Sequence, residues 1–401
     1  PEPPRFTQSK TALILHDLES KDSITVVRAY NALRQAPVRK KDAPLLRDAL
    51  FKSYKQPYDT VMGVVVNNSI GSRLAELKDS ASIDYVRQSY AGLVNEKEPF
   101  RLVALATLMR THSSYSYGVL AGLLKQGPTK ERLGFTQMDA MKDSLALSMS
   151  VYPYLLTWAR DTLHVAAIAS LSLRLADSGY LSREALASSA GIFTSSARGL
   201  LPGLKANSSS SQNYYIASLI DLLGRMHDPE AYGVLKDYQS VNNLYLVSKT
   251  ITQLLDGQQA VSSAALQRLA ADASYRLSLY EDLKKHDKSA LFPKEYLTQS
   301  AMALAALYRA ADYDDEEIED ATFLSKRTAA YKGKSYIFYL YKVCYPDDEG
   351  KVCHLGIAGG YDPTGMGLEP KTDLSGIYLD KDFDGQKAEE LLKAWLKGRE
   401  E

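Results

Sequence analysis

Leu108-Met109-Arg110-Thr111-His112 … Tyr117-Gly118-Val119-Leu120 returns later in the chain as Leu223-Gly224-Arg225-Met226-His227 … Tyr232-Gly233-Val234-Leu235. Leu, Arg and His recur at one spacing and Tyr-Gly-Val-Leu at another, both at a constant offset of 115. That offset suits about three units of a helical repeat of the 40-residue class. The doubled phrase therefore predicts a stacked helical array in the middle of the chain. Such arrays bind partners far more often than they catalyse.

Helical periodicity extends outward from the phrase over residues 8–310. Val26, Val27, Tyr30 and Leu33 fall on one helical face, as do Ile216, Leu219, Ile220 and Leu223, and Leu244, Val247, Ile251 and Leu254. Breaks are expected at Gln56-Pro57, Glu98-Pro99, Gly127-Pro128, Tyr152-Pro153, Asp228-Pro229 and Phe292-Pro293. Asp228-Pro229-Glu230 has the composition of a helix start: a capping carboxylate, a proline at the first position, and an acid near the positive helix end. No sustained alternation of apolar and polar residues precedes residue 320.

Helix length, short turns and the doubled phrase together resemble the HEAT/armadillo class of α-solenoids over roughly residues 8–310. The resemblance implies antiparallel helix pairs that stack into an array. The HEAT pattern of Pro in the first helix, then Asp and Arg or Lys in the second, is not cleanly repeated. Tetratricopeptide-like and irregular arrays therefore stay open. Leu201-Pro202-Gly203 and the run to Ser211 predict a loop or joint near 201–211.

Asp312-Tyr313-Asp314-Asp315-Glu316-Glu317-Ile318-Glu319-Asp320 closes the helical region, and residues 311–320 are expected to be a solvated acidic linker. The pattern then changes. Residues 321–331 and 335–345 look strand-like around the hairpin signal Lys332-Gly333-Lys334, and the second carries bulk on both faces, as a strand covered on both sides does. A third strand over Lys351 to Ala358 and a final helix from near Asp384, striped by Ala388, Leu391, Leu392 and Trp395, complete the pattern. The expected fold is thus mainly α: an irregular antiparallel helical-repeat solenoid, then a small C-terminal α+β module with an antiparallel sheet over 321–401.

The two cysteines are the sharpest local signal. If Asp347 to Gly350 form a four-residue loop, Cys344 faces Cys353 across an antiparallel pair, with Cβ atoms about 4.5–5.5 Å apart. A cross-strand disulfide at that register points to an oxidising compartment, against the alternative of two buried thiols in the cytoplasm.

Three other motifs carry weaker chemistry. Asp380, Asp382 and Asp384, in Asp380-Lys381-Asp382-Phe383-Asp384-Gly385, match the opening of a calcium loop. Leu391 stands where the bidentate Glu belongs, so Asp384 as a helix cap is the competing reading, and no cofactor other than calcium is implied. Gly359, Gly360, Tyr361 and Asp362 lie in a Gly-dense stretch after a strand. Met366-Gly367 replaces the phosphate-binding Lys and Ser/Thr of a P-loop, leaving a mobile loop that contacts a ligand or neighbour. The six histidines form no metal or catalytic spacing, and Arg110, His112, Arg225 and His227 are expected to satisfy helix C-terminal carbonyls.

Composition bounds the function. Across 401 residues, 48 Lys and Arg balance 48 Asp and Glu, so no global field recruits nucleic acid. No stretch approaches the roughly 20 apolar residues that span a bilayer. The 27 Tyr supply amphipathic surface suited to half-exposed grooves, although compositional habit explains the same count. Pro1-Glu2-Pro3-Pro4-Arg5 is expected to be a processed start, after a signal peptide or an upstream domain. The leading expectation is a non-catalytic scaffold for a protein or peptide partner, within a larger exported protein (periplasmic or extracellular). The alternatives are a small-ligand binder or enzyme with a pocket between the helical array and the C-terminal module, and an assembly component pairing through its β module.

Overall fold

Asp22, Asp79, Ser113, Asn243 and Asp272 each accept a backbone N–H from a following residue. These caps satisfy donors that a helix start leaves free, and they punctuate the helices in the computed structural model. The structure describes residues 9–54, 59–206, 213–312, 318–347, 350–365, 367–372, 374–378 and 387–399. By Cα proximity the chain divides into two compact units, 1–234 and 235–401. The change of pattern at residue 320 falls inside the second.

The first unit contains α1 (Lys10–Asp17), α2 (Ser23–Gln35), α3 (Ala43–Ala49), α4 (Asp59–Glu76), α5 (Ser80–Tyr90), α6 (Phe100–Arg110) and α7 (Ser114–Leu124). It continues with α8 (Phe135–Lys142), α9 (Leu145–Trp158), α10 (Val165–Asp177), α11 (Arg183–Ser188), α12 (Ala190–Ala206) and α13 (Asn213–Met226), before α14 (Pro229–Tyr238). Odd helices pack on odd and even on even: α1, α3, α5, α7 and α9 make one row, and α2, α4, α6, α8 and α10 the other, extended by α13. This two-row stack is the helical-repeat arrangement expected of the sequence. Close approach within the even row depends on Gly71 of α4, where a Cβ would overlap the Thr107 hydroxyl of α6.

One expected break is absent: Pro153 lies inside α9. Pro202 lies inside α12, which runs through Ala206, while the rest of the joint expected near 201–211, like the break expected at Gln56-Pro57, lies outside the described residues. An interior proline forfeits a hydrogen bond and costs about 3 kcal/mol. Around Pro153, burial of Val151, Tyr152, Leu155 and Trp158 offsets that cost. Tyr152 also hydrogen-bonds Ser172 Oγ (2.8 Å), and Trp158 Nε1 donates to the Leu124 carbonyl (2.9 Å). Asp228 does cap α14 as expected, accepting from Glu230 N (2.8 Å) and Ala231 N (3.0 Å).

The second unit holds α15 (Leu244–Asp256), α16 (Ser263–Ala271), α17 (Ala273–Lys285), α18 (Gln299–Asp312), a sheet, and α19 (Ala388–Gly398). The antiparallel sheet has the order β1 (Asp320–Tyr331), β2 (Lys334–Asp347), β3 (Gly350–Tyr361), β4 (Gly376–Tyr378). Lys332 and Gly333 both have positive φ, 49° and 72°, the geometry of a two-residue type I′ hairpin. β2 is covered on both faces. Phe338 and Leu340 pack with Leu392 and Trp395 of α19, while Ile337, Tyr339 and Tyr341 pack with Ala303 and Leu307 of α18. Tyr341 donates to the Ser300 carbonyl (2.8 Å) and Tyr339 to Gln299 Oε1 (3.1 Å), fastening the start of α18 to the sheet.

Cys344 pairs with Cys353 in the β2–β3 register and the two are disulfide-bonded. The Cys344 carbonyl accepts from Glu319 N on the other side (2.9 Å), which makes Cys344–Cys353 a non-hydrogen-bonded site, where side chains stand closest. The ladder runs one pair further than expected, to Asp347 and Gly350, so the connection is two residues long instead of four.

Candidate functional site

In the doubled phrase Leu108 and Leu223, Tyr117 and Tyr232, and Val119 and Val234 are all buried. His112 and His227 both adopt left-handed backbone, with φ of 47° and 51°, at the turn after their helices. The polar side chains then diverge. His112 Nδ1 meets Ser144 Oγ (2.7 Å), whereas His227 Nδ1 meets Tyr232 OH (2.8 Å). Arg225 pairs with Asp177, while Arg110 is largely buried, with Nη1 lacking a hydrogen-bond partner among the described residues. Burial holds the Arg110 guanidinium below its ordinary pKa. The histidines meet the last carbonyls through their backbone N–H groups, His112 to Met109 and His227 to Gly224. The side-chain role expected of these four residues belongs instead to Arg276. Its Nε and Nη2 donate to Ala270 and Ala271 at the end of α16 (2.6 and 2.9 Å), and its Nη1 donates to Ala301 (2.8 Å).

The phrase's glycines face outward. Outside their own helices, Gly118, its counterpart Gly233, and Gly122 one turn after Gly118 have no atom of the described residues within 4 Å of where a Cβ would stand. Gly118 and Gly122 open a groove of about 500 Å³ between α5 and α7, walled by Arg87, Tyr115, Val119 and Leu123. Tyr115, 46% exposed, is held rigidly there. Its hydroxyl donates to Asp84 Oδ1 (2.7 Å), which also pairs with Arg87 (2.9 Å). That hydrogen bond to a carboxylate raises the phenol's pKa. A hollow of similar size between α8 and α10 is lined by Asp139, Lys142, Asp143, Arg174 and Asp177, of which Lys142 pairs with Asp139 (3.0 Å) and Asp177 with Arg225.

The Gly-dense stretch is built differently from the expected mobile loop. Gly359 and Tyr361 belong to β3, and Gly360 (φ 78°) is the extra residue of a bulge where the register shifts opposite Ile337 and Phe338. A Cβ at Gly359 would stand 2.5 Å from the Phe338 ring, and one at Gly360 would overlap Thr372. The Gly360 and Gly359 carbonyls accept from Lys371 N (2.8 Å) and Leu374 N (3.3 Å), so the glycines admit a returning segment. Asp362 accepts from Thr364 N (2.8 Å) and Oγ1 (2.6 Å), bonds that lower its carboxyl pKa.

That returning segment closes a cavity of about 490 Å³ within the second unit. Leu277 and Glu281 of α17, Met302, Ala306 and Arg309 of α18, Tyr361, Ser375, Ile377 of β4, and Arg399 after α19 line it. Of the four ligand-loop residues expected from the sequence, Tyr361 reaches this cavity. Arg309 holds Glu281 with two hydrogen bonds (2.9 and 2.8 Å), and Lys284 pairs with Glu369. Neither Ser375 nor Arg399 carried a sequence signal, because only the fold brings positions 281, 309, 375 and 399 together.

β1 is an outer strand of the sheet, with Phe323 52% exposed. A register shift between Phe323 and Ser325, followed by Lys326 and Arg327, guards that edge against strand addition. Asp380, Asp382 and Asp384 lie outside the described residues. Among the described residues, no group of three or more His, Cys, Asp and Glu is placed to hold a metal ion, and no helix is long and apolar enough to cross a membrane.

No protein-family model matches the chain, and no curated protein and no solved structure matches it.

Proposed function

We propose that the protein is a non-catalytic interaction module whose α5–α7 groove receives a segment of a partner protein or peptide. One observation carries this reading. Gly118 and Gly122 sit inside α7, where each glycine costs about 1 kcal/mol relative to alanine, yet nothing among the described residues occupies the space in front of them. The fold gains nothing from their lack of a side chain. An arriving backbone does, because it can approach the helix closely and place its side chains beside the fixed ring of Tyr115. The two-row stack supports a HEAT- or armadillo-like classification of the array, and the Cys344–Cys353 disulfide supports an exported protein working in an oxidising compartment.

The test is site-specific photocrosslinking in the native host, with a benzoylphenylalanine at Gln126 on the rim of the groove and a control at exposed Leu13. A discrete adduct at position 126 that is lost in Tyr115→Ala supports the reading. Equal labelling from both positions rejects it.

A further inference from the structure

The charges around the cavity in the second unit are unevenly matched. Glu281 is neutralised by the fork of Arg309, and Glu369 by Lys284. Arg399 is left with no carboxylate partner among the described residues. Its guanidinium lies over the Trp395 ring (5.0 Å), and its Nη2 stands 3.7 Å from where a Cβ on Gly376 would be. The stacking orients the fork, and no carboxylate among the described residues opposes its charge. In the same wall the Ser375 hydroxyl is buried with no hydrogen-bond partner among the described residues. A buried hydroxyl without a partner is costly, and native structures seldom leave one unexplained. Besides these two groups and the paired charges, the lining includes hydrocarbon from Leu277, Met302, Ala306 and Ile377.

We infer that this cavity binds a monocarboxylate carrying an apolar body, the carboxylate on Arg399 and Ser375 and the body against Leu277, Met302 and Ile377. A guanidinium offers two parallel N–H donors that match a carboxylate's two oxygens, and the serine supplies a third donor. A volume of about 490 Å³ lies in the usual range for small-ligand sites. A phosphate dianion fits less well, since one unpaired cation leaves a charge uncompensated. The same chemistry is shared by a free organic acid and by the C-terminal residue of a peptide. The inference is independent of the α5–α7 groove, so either can fail alone.

The experiment is isothermal titration of the whole chain with 4-phenylbutyrate and with N-acetyl-Leu-Phe as free acid, each matched to its uncharged analogue, 4-phenylbutanol or the peptide amide. Trp395 fluorescence gives a second readout. Binding of one or both acids, weakened about tenfold or more in Arg399→Gln and in both uncharged analogues, is the expected result. The acid that binds identifies the source. Ala306→Phe, which fills the cavity, is expected to abolish binding while circular dichroism and melting remain cooperative. Arg399 is exposed, so the Gln variant remains informative if Ala306→Phe fails to fold. Equal binding of acids and uncharged analogues, undiminished binding in Arg399→Gln, or no binding by any probe overturns the inference.

Discussion

His112 and His227 occupy the same left-handed turn position in two copies of one phrase, yet their imidazoles bond different neighbours, Ser144 and Tyr232. The backbone geometry is repeated and the side-chain chemistry is not. Left-handed φ costs a β-branched residue about 1–2 kcal/mol. His227→Val is therefore expected to lower the unfolding free energy measured in urea by about that amount. His227→Gly is expected to be nearly neutral, since relief of φ offsets the lost hydrogen bond and the added unfolded-state entropy. Comparable losses from both variants would remove backbone strain as the reason for the turn's sequence.

Gly71 and Gly118 are both helical glycines with opposite surroundings. Gly71→Ala is expected to destabilise by about 1–3 kcal/mol, because the new methyl meets Thr107 in the packed even row. Gly118→Ala and Gly122→Ala are expected to stabilise by up to about 1 kcal/mol each, while weakening partner capture. Thermal denaturation of the three single variants checks the stability signs.

Arg276 is buried, and its guanidinium serves three carbonyls and lies over Tyr296 (5.0 Å). Burial lowers its pKa from the ordinary arginine value. Arg276→Met keeps much of the volume and leaves those carbonyls without donors. A loss of about 3 kcal/mol or more is expected in chemical denaturation. Lys is expected to restore only part of it, since an ammonium lacks the planar fork.

His164 is buried, its Nδ1 accepting from Leu133 N (3.3 Å) and its Nε2 donating to the Thr129 carbonyl (3.0 Å). Burial lowers its pKa below the ordinary 6.5, as it also does for His112. The unfolded chain takes up these protons at higher pH than the folded one, so stability is full above about pH 6.5 and falls as pH drops towards the lowered values. His164→Gln is expected to flatten the acid limb of a plot of melting temperature against pH.

Disulfide closure spans a sequence separation of 9 residues. Reduction, or Cys344→Ser with Cys353→Ser, is expected to cost about 2–3 kcal/mol by loop-entropy reasoning. Alkylation of the unfolded protein under non-reducing conditions should label neither cysteine.

Legibility followed the range of the interactions. The start of α14, the Lys332-Gly333 hairpin and the Cys344–Cys353 register depend on residues a few positions apart, and all three were readable. Pro153 and Pro202 misled, because a proline marks a helix break only when packing elsewhere does not outweigh its cost. The Gly359–Gly360 pair suggested a mobile loop, but its reason is Thr372 and Phe338 pressing against a bulge. Gly118 and Gly122 stood in plain view at a spacing of four, yet nothing local separates an open glycine from a packed one such as Gly71.

By itself, the sequence determined the helical array, the switch to strands near residue 320 and the disulfide pairing, since each rests on periodicity or turn geometry over short spans. The tertiary structure decided what the doubled phrase means. It buried Leu, Tyr and Val of both copies, turned Gly118 and Gly233 to open space, and sent Arg110 and Arg225 to different environments. It also gathered Glu281, Arg309, Ser375 and Arg399 around one cavity. Those outcomes depend on which helices pack together, and pairing between distant segments leaves no local mark in the chain.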